Sequence, residues 1–289
     1  MRMKRLLVGV TALAMTGLAL AAGPGAVRKR VEASMLLTGS ITVAPDGSVS
    51  SYDIDKADKV PAEIVSLVQQ SATDWRFEPV IRDGHPVSAK AHMSLRVVAR
   101  RENENSESMT ARIAGANFGD DGQDGESITY IDRHPPSYPA GAAAAHVEGT
   151  VYLLLRVDHD GKVADAFPEQ VNMGVIGSDA DLRIWRKALA DPSVLAAKTW
   201  TFRPPTKGPH ANDPYYDVRV PIVFAINSRK GGGPGDMYGQ WKAYVPGPKE
   251  TAPWSSDTPK GDANTDALPD GQLFLVNSGL KLKTPLDHS

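Results

Sequence analysis

The sequence predicts an α+β protein built of two tandem small units, each a three-stranded antiparallel sheet with a helix packed on one face. Three observations carry this. A short pattern occurs twice, Trp75-Arg76-Phe77-Glu78-Pro79 and Trp200-Thr201-Phe202-Arg203-Pro204. Each copy follows a stretch of helical spacing and precedes an alternating apolar strand. Each is also preceded by an Asp-Gly pair, Asp46-Gly47 and Asp160-Gly161, between β-branched runs, which is a hairpin signal.

Composition bounds the remaining possibilities. The 289 residues, 41% of them hydrophobic, suffice for two packed cores without the apolar excess of a polytopic membrane protein. The formal net charge of -2 arises from 32 basic and 34 acidic residues, too even a balance to gather nucleic acid or an anionic membrane. With no cysteine there is no disulfide framework, no thiolate nucleophile and no Cys zinc site.

The chain opens with Arg2, Lys4 and Arg5, then an uncharged stretch over 6–22 that ends in the small-residue pattern Ala19-Leu20-Ala21. This three-part layout is that of a secretory signal peptide over 1–22, with cleavage expected after Ala21 or Ala22. An uncleaved inner-membrane anchor is the alternative, and the stretch is short and poor for a bilayer span. Both readings place the chain in the periplasm.

The first unit is expected over 35–99. Residues 37–43 and 48–54 read as hairpin strands around Ala44-Pro45-Asp46-Gly47. A helix follows, with Pro61 in its first turn and Ile64, Leu67, Val68 and Trp75 on one apolar face. Beyond a Gly84-His85-Pro86 turn, Met93, Leu95 and Val97 alternate with Ser94 and Arg96 as a half-buried strand. Residues 100–133, with Arg100-Arg101-Glu102-Asn103-Glu104 and a Gly- and Asp-rich run over 119–125, read as a flexible linker.

The second unit is expected over 134–227. Strands at 151–157 and 162–171 flank the Asp158-His159-Asp160-Gly161 turn. A helix over 181–197 carries Leu182, Trp185 and Leu189, with Pro192 bending or splitting it, and 216–226 alternates again. The run Leu153-Leu154-Leu155 signals either a strand covered on both faces or a bulge. Residues 228–289 read as a flexible Gly/Pro-rich tail. Within it Leu273-Phe274-Leu275-Val276 would either dock on a domain or partner or add as an edge strand.

These residues carry a family resemblance. Tyr138-Pro139, the Gly149-Thr150-Val151 strand start, the Val157 to Val163 hairpin, the Trp200 to Pro204 junction and the Val218-Arg219-Val220-Pro221-Ile222-Val223-Phe224 strand occur in this order. Over about 135–226 the chain thereby resembles the C-terminal domain of the TonB energy-transducer family. The first unit is a more degraded copy that keeps Gly39, Asp46-Gly47, Trp75 and Phe77 but lacks the Tyr-Pro opening. The resemblance implies a periplasmic, non-enzymatic protein-binding module. Such a module captures an extended segment of an outer-membrane receptor, or of another envelope protein, by strand addition. It also implies an association with TonB-dependent transport.

Sheet edges suit that role, because their unpaired N–H and C=O groups accept another strand, from a partner or from a second copy as a homodimer. The last strand, 215–226, is the candidate docking edge, with Tyr216, Val218, Val220, Ile222 and Phe224 as its partner-binding residues. Pro221 places it at an edge, with the proline facing away from its pairing neighbour, or else at a bulge, and it serves either docking or protection against aggregation. Val220→Pro is expected to weaken capture. Trp75, Phe77, Trp200 and Phe202 are expected in the cores, Tyr138 and Pro139 to pin the entering chain, and Gly161 to make the turn.

The family's energy transducers are anchored in the inner membrane and reach through a long Pro-rich segment. Here the twelve residues 23–34 would extend about 40 Å at most. A relative that keeps the binding fold without the motor connection is therefore expected. No catalytic constellation is present. The seven histidines show no metal-ligand spacing, there is no Gly-x-Ser-x-Gly elbow, and the glycine run at 231–233 precedes no helix. No catalytic residue, metal, small-molecule cofactor or nucleic-acid partner is expected. The alternatives are an envelope scaffold without a transport role and an enzyme whose site assembles only in three dimensions.

Overall fold

A computed structural model describes residues 32–101, 109–120, 125–226, 238–255 and 265–286. The signal segment expected over 1–22 lies outside the described residues.

In the first half, β1 (Glu32–Val43) turns at Gly47 into β2 (Val49–Ile54). Helix α1 (Ala62–Asp74) follows, its N-cap at Pro61, and buries Ile64, Val68, Ser71 and Ala72. A small hairpin, β3 (Val80–Arg82) with β4 (His85–Val87), leads to β5 (Ala89–Arg101), which pairs antiparallel with β1 from Ala33↔Ala99 to Val43↔Ala89. Met35, Leu37, Ile41, Met93, Leu95 and Val97 face α1 as one core, as the two-residue period requires.

Two expectations are corrected here. The sheet is not three-stranded, and 100–133 is not wholly a linker, because it contains β6 (Met109–Asp120) and β7 (Thr129–Asp132). β6 pairs along β5 from Arg101↔Met109 to Ala91↔Asp120. Its apolar pattern of Ile113, Ala116 and Phe118 is sparse and sits between polar runs, so its periodicity was drowned. Tertiary packing supplies what local pattern lacks. Phe118 meets Trp75 edge-on at 5.3 Å and Phe77 at 4.9 Å between centroids, so it completes the aromatic cluster that the repeated pattern begins.

The second half repeats the order. After the short helix α2 (Ala140–Ala144) come β8 (Gly149–Asp158), β9 (Val163–Met173), α3 (Asp179–Ala197), β10 (Thr201–Arg203), which pairs with β7, and β11 (Tyr215–Phe224). β8 lies between β9 and β11, antiparallel to both. Ser178 caps α3 with a reciprocal capping box to Asp181, and the helix runs unsplit through Pro192. Leu153 and Leu155 enter the second core, while Leu154 packs on the opposite face with Ala252 and Val276. The register between β8 and β9 shifts at Tyr152/Leu153, so the leucine run is covered on both faces and lies beside a bulge.

A shared contact ties hairpin to junction in both halves. Gly47 and Gly161 both have positive φ, +86° and +81°, and a Cβ on either would collide with the carbonyl of Phe77 or Phe202. The Phe77 N–H donates to the Gly47 carbonyl at 2.8 Å, and the Phe202 N–H to the Gly161 carbonyl at 2.7 Å. Only glycine allows both the turn and this approach.

The largest correction concerns 228–289. Its described residues form β12 (Lys242–Tyr244), which extends the first sheet on β1, and β13 (Phe274–Leu275), which extends the second on β11. Tyr244, Val245, Ala252, Leu268, Phe274, Leu275 and Val276 are buried. By its own composition this Gly- and Pro-rich stretch has too few apolar residues to order itself. Its apolar residues are instead buried against two sheets formed elsewhere in the chain.

Candidate functional site

β11 has two unlike edges. One pairs with β8 along its whole length, from Tyr215↔Asp158 to Phe224↔Gly149. On the other, the Val276 N–H donates to the Asp217 carbonyl at 2.8 Å, so Asp217 turns its backbone groups away from β8. By alternation Arg219, Pro221 and Val223 do the same, whereas Val218, Val220 and Ile222 direct theirs at β8. Pro221 therefore lacks its N–H on the outer edge and leaves the β8 ladder intact. β13 covers the outer edge only at Val218↔Leu275 and Arg219↔Phe274. Among the described residues no strand pairs with Val223 on that side, and Val223 is 44% exposed.

The expected partner-binding residues take another place. The side chains of Tyr216, Val218, Val220, Ile222 and Phe224 all lie in the second core. They are the apolar register of the strand, which is the register a one-sided sheet must bury. The side chains flanking the edge on the opposite face are those of Tyr215, Asp217, Arg219, Pro221 and Val223. Val220→Pro is corrected for the same reason, since it would break the ladder to β8, and Val223→Pro is the change that removes an outward N–H.

The other named residues are structural in position. Trp75 and Trp200 are each 1% exposed, and Phe77 and Phe202 are buried beside them. The Trp200 indole N–H donates to the His134 carbonyl at 2.8 Å. Tyr138 donates its hydroxyl to the Val147 carbonyl at 2.6 Å and stands edge-on to Phe224, while Pro139 is the N-cap of α2. In the Asp158 turn, the Asp158 carboxylate accepts the N–H groups of Asp160 and Lys162, as in an ordinary hairpin turn.

What the sequence reading missed is how the edges are closed. The segment 245–250 lines β9, with Met173 and Val245 exchanging backbone hydrogen bonds at 3.0 and 2.9 Å and the Glu250 N–H donating to the Glu169 carbonyl. The Leu280 N–H donates to the Phe118 carbonyl on β6, and Phe77 bridges to Leu282. The hydroxyl of Tyr238 serves Thr38, accepting its N–H and donating to its carbonyl, in the gap between β2 and β12. The tail is thus a strap over several strand edges.

Its anchor is Asp266, 6% exposed and set between the two sheets. The Asp266 carbonyl accepts from Arg96 Nη2 at 2.6 Å, Arg96 Nε at 3.0 Å and the Tyr152 hydroxyl at 3.2 Å. Its carboxylate accepts from the Tyr244 hydroxyl and from Asn172 Nδ2. Arg96 also donates to Ser34 Oγ and to the Tyr152 hydroxyl. Burial alone would lower the Arg96 guanidinium, but Tyr152 and Asp266 outweigh it and hold the cation above its ordinary value. Burial, with Asp266 next to it, pushes the Tyr244 phenol up, and burial does the same for Tyr152, so both remain proton donors. No short motif announces this hub, because its members come from β1, β5, β8, β9 and the strap.

Among the described residues no group of three or more His, Asp or Glu side chains could hold a metal, and no helix is long and apolar enough to cross a membrane.

The architecture is that of a mixed α+β protein with mostly antiparallel sheets, helices on their faces, and one short strand from later in the chain added to each of β1 and β11. No family model matches the chain. Over 98 residues it is 33% identical to Protein tonB2 of Pseudomonas aeruginosa, a match that covers 34% of this chain and 31% of that protein. The chain therefore spans about a third of the length of the curated relative it matches. The similarity suggests a TonB-like relationship over that stretch.

Proposed function

We propose that the chain is an exported, non-enzymatic binding module of the envelope, made of two tandem TonB-C-terminal-like units. It captures an extended segment of an outer-membrane receptor by adding it to the outer edge of β11. The observation that carries this reading is that β11 has an edge strand already added to it, from a distant part of the same chain. A strand edge that accepts one extended segment has the geometry to accept another. The outward backbone groups of Val223, which no strand takes among the described residues, lie beyond a proline that leaves the β8 ladder whole and extend the acceptor. The similarity to Protein tonB2 supports the envelope setting and a link to TonB-dependent transport.

The test is an amide NMR titration of the chain, freed of residues 1–22, with N-terminal peptides of outer-membrane receptors from the same organism. Shifts centred on residues 217–225 are expected. Val223→Pro should weaken capture about tenfold, the loss of roughly one hydrogen bond. A peptide set that moves no resonance on this edge would leave the envelope-scaffold reading in its place.

A further inference from the structure

We propose that Phe274, Leu275 and Val276 are a ligand in cis of the β11 edge. The natural partner segment is then an antiparallel strand with the same chemistry, three consecutive apolar residues followed by polar ones, which takes their place. This rests on the reading of β11 as an acceptor edge.

The chemistry follows from where the three side chains go. Leu275 lies opposite Val218 and enters the second core. Phe274, on the other face, packs with Tyr152 and Leu268, and Val276 with Leu154 and Ala252. An ordinary edge strand has one apolar and one wet face and asks its partner for alternation. Here both faces beside the edge are covered, so three successive apolar positions are required. Charge is not, because the Arg219 guanidinium beside this segment is already paired with Glu169, Nε to Oε2 at 2.7 Å and Nη2 to Oε1 at 3.2 Å. After the triplet, Asn277 adopts a φ of +68° and the Ser278 N–H closes a turn on the Leu275 carbonyl at 3.1 Å, so the pairing ends within a few residues.

Exchange is built into the way the strap is held. Its anchors lie on either side of β13. Before it are the Asp266 hub and the Ser94 hydroxyl, which donates to the Ala267 carbonyl at 2.5 Å. After it, the Leu280 N–H donates to the Phe118 carbonyl and the Lys283 N–H to the Arg76 carbonyl, at 2.9 and 2.8 Å. β13 itself spans two residues. It borders a cleft of about 1060 Å³, lined also by Asn117 and Gly119 of β6 and by no residue of β11. Neither anchor involves the triplet itself, so its release breaks the β13 pairing and the Val276–Asp217 bond but no anchor bond. A tethered strand competes at an effective concentration in the millimolar range, so it weakens every segment added in trans until it is displaced.

The chain has no cysteine, which makes a direct test available. Val218 and Leu275 are direct cross-strand partners in a non-hydrogen-bonded position, where β-carbons lie close enough for a disulfide. In the full chain carrying V218C and L275C, the oxidised form should not bind a fluorescent peptide with the sequence of residues 272–278. The reduced form should bind it at least tenfold more tightly. Val276→Pro, which removes the N–H that Asp217 accepts, should bind it about tenfold more tightly than the unaltered chain. Equal binding by oxidised and reduced forms, or none by either, overturns the proposal. If the double variant does not fold, the unaltered chain decides: added peptide must shift the amides of 274–276 together with those of 217–219, and shifts that leave 274–276 unmoved overturn it. A released edge that takes this peptide but no receptor segment refutes the receptor reading alone. Receptor segments that bind locked and released forms equally refute only the cis competition.

Discussion

Asp266→Ala is the perturbation that most directly measures whether the strap belongs to the folded unit. The carboxylate accepts from the buried Tyr244 hydroxyl and from Asn172 Nδ2. Hydrogen bonds to a charged acceptor contribute about 1.5–3 kcal/mol each, and deletion leaves both donors buried without a partner. After Tyr152, the same residue also helps hold the buried Arg96 guanidinium above its ordinary value, and Arg96 keeps its bonds to the backbone carbonyl of residue 266. With two such bonds lost, a loss of about 3–6 kcal/mol is expected. Urea unfolding followed by tryptophan fluorescence measures it, with hydrogen exchange at Val245, Gly247 and Leu280 reporting whether the strap is released first. Asp270→Ala is the control, because its pair with Arg133 is 3.8 Å long and largely exposed, and exposed pairs contribute at most about 1 kcal/mol. A change at Asp266 no larger than at Asp270 would refute the hub as an anchor.

Other expectations follow from single sites. Trp200→Ala should destabilise by about 3–5 kcal/mol as a core truncation, read from the same urea titration, and a fully stable variant would contradict its burial. Gly161→Ala should cost at least about 1–2 kcal/mol for its positive φ and more for the collision with the Phe202 carbonyl. Gly84→Ala, with positive φ and open space around it, should show only the first part in a thermal melt. Tyr130 has a buried hydroxyl without a partner, and burial pushes its phenol up to about 12. The unfolded chain ionises this phenol near pH 10. The contribution of Tyr130 to stability is therefore whole below pH 10 and is lost as pH rises toward 12. Tyr130→Phe should leave stability at pH 7 unchanged or slightly raised and should remove that alkaline loss, which denaturation at pH 8 and pH 11.5 would show.

Much of the framework was legible because it rests on local rules. Alternation in 37–43 and 93–97 found β1 and β5, and the Asp-Gly pairs found the hairpins. The helical spacing of Ile64, Leu67 and Val68 found α1. β6 was not legible, because three apolar residues among alanines and glycines acquire a purpose only where Phe118 meets Trp75 and Phe77. At the candidate edge the strand was found, but the side chains chosen were those the sheet buries. Which backbone groups point outward depends on which neighbour β11 has on each side, and that is a fact of pairing.

The sequence by itself determined the two halves, their element order and the glycine turns, since periodicity, turn chemistry and φ preference act over a few residues. Only the tertiary structure decided the fate of 238–255 and 265–286. Their burial and hydrogen bonds are made against strands 55 to 212 residues away, and the stability of such a segment resides in surfaces the rest of the chain must first build.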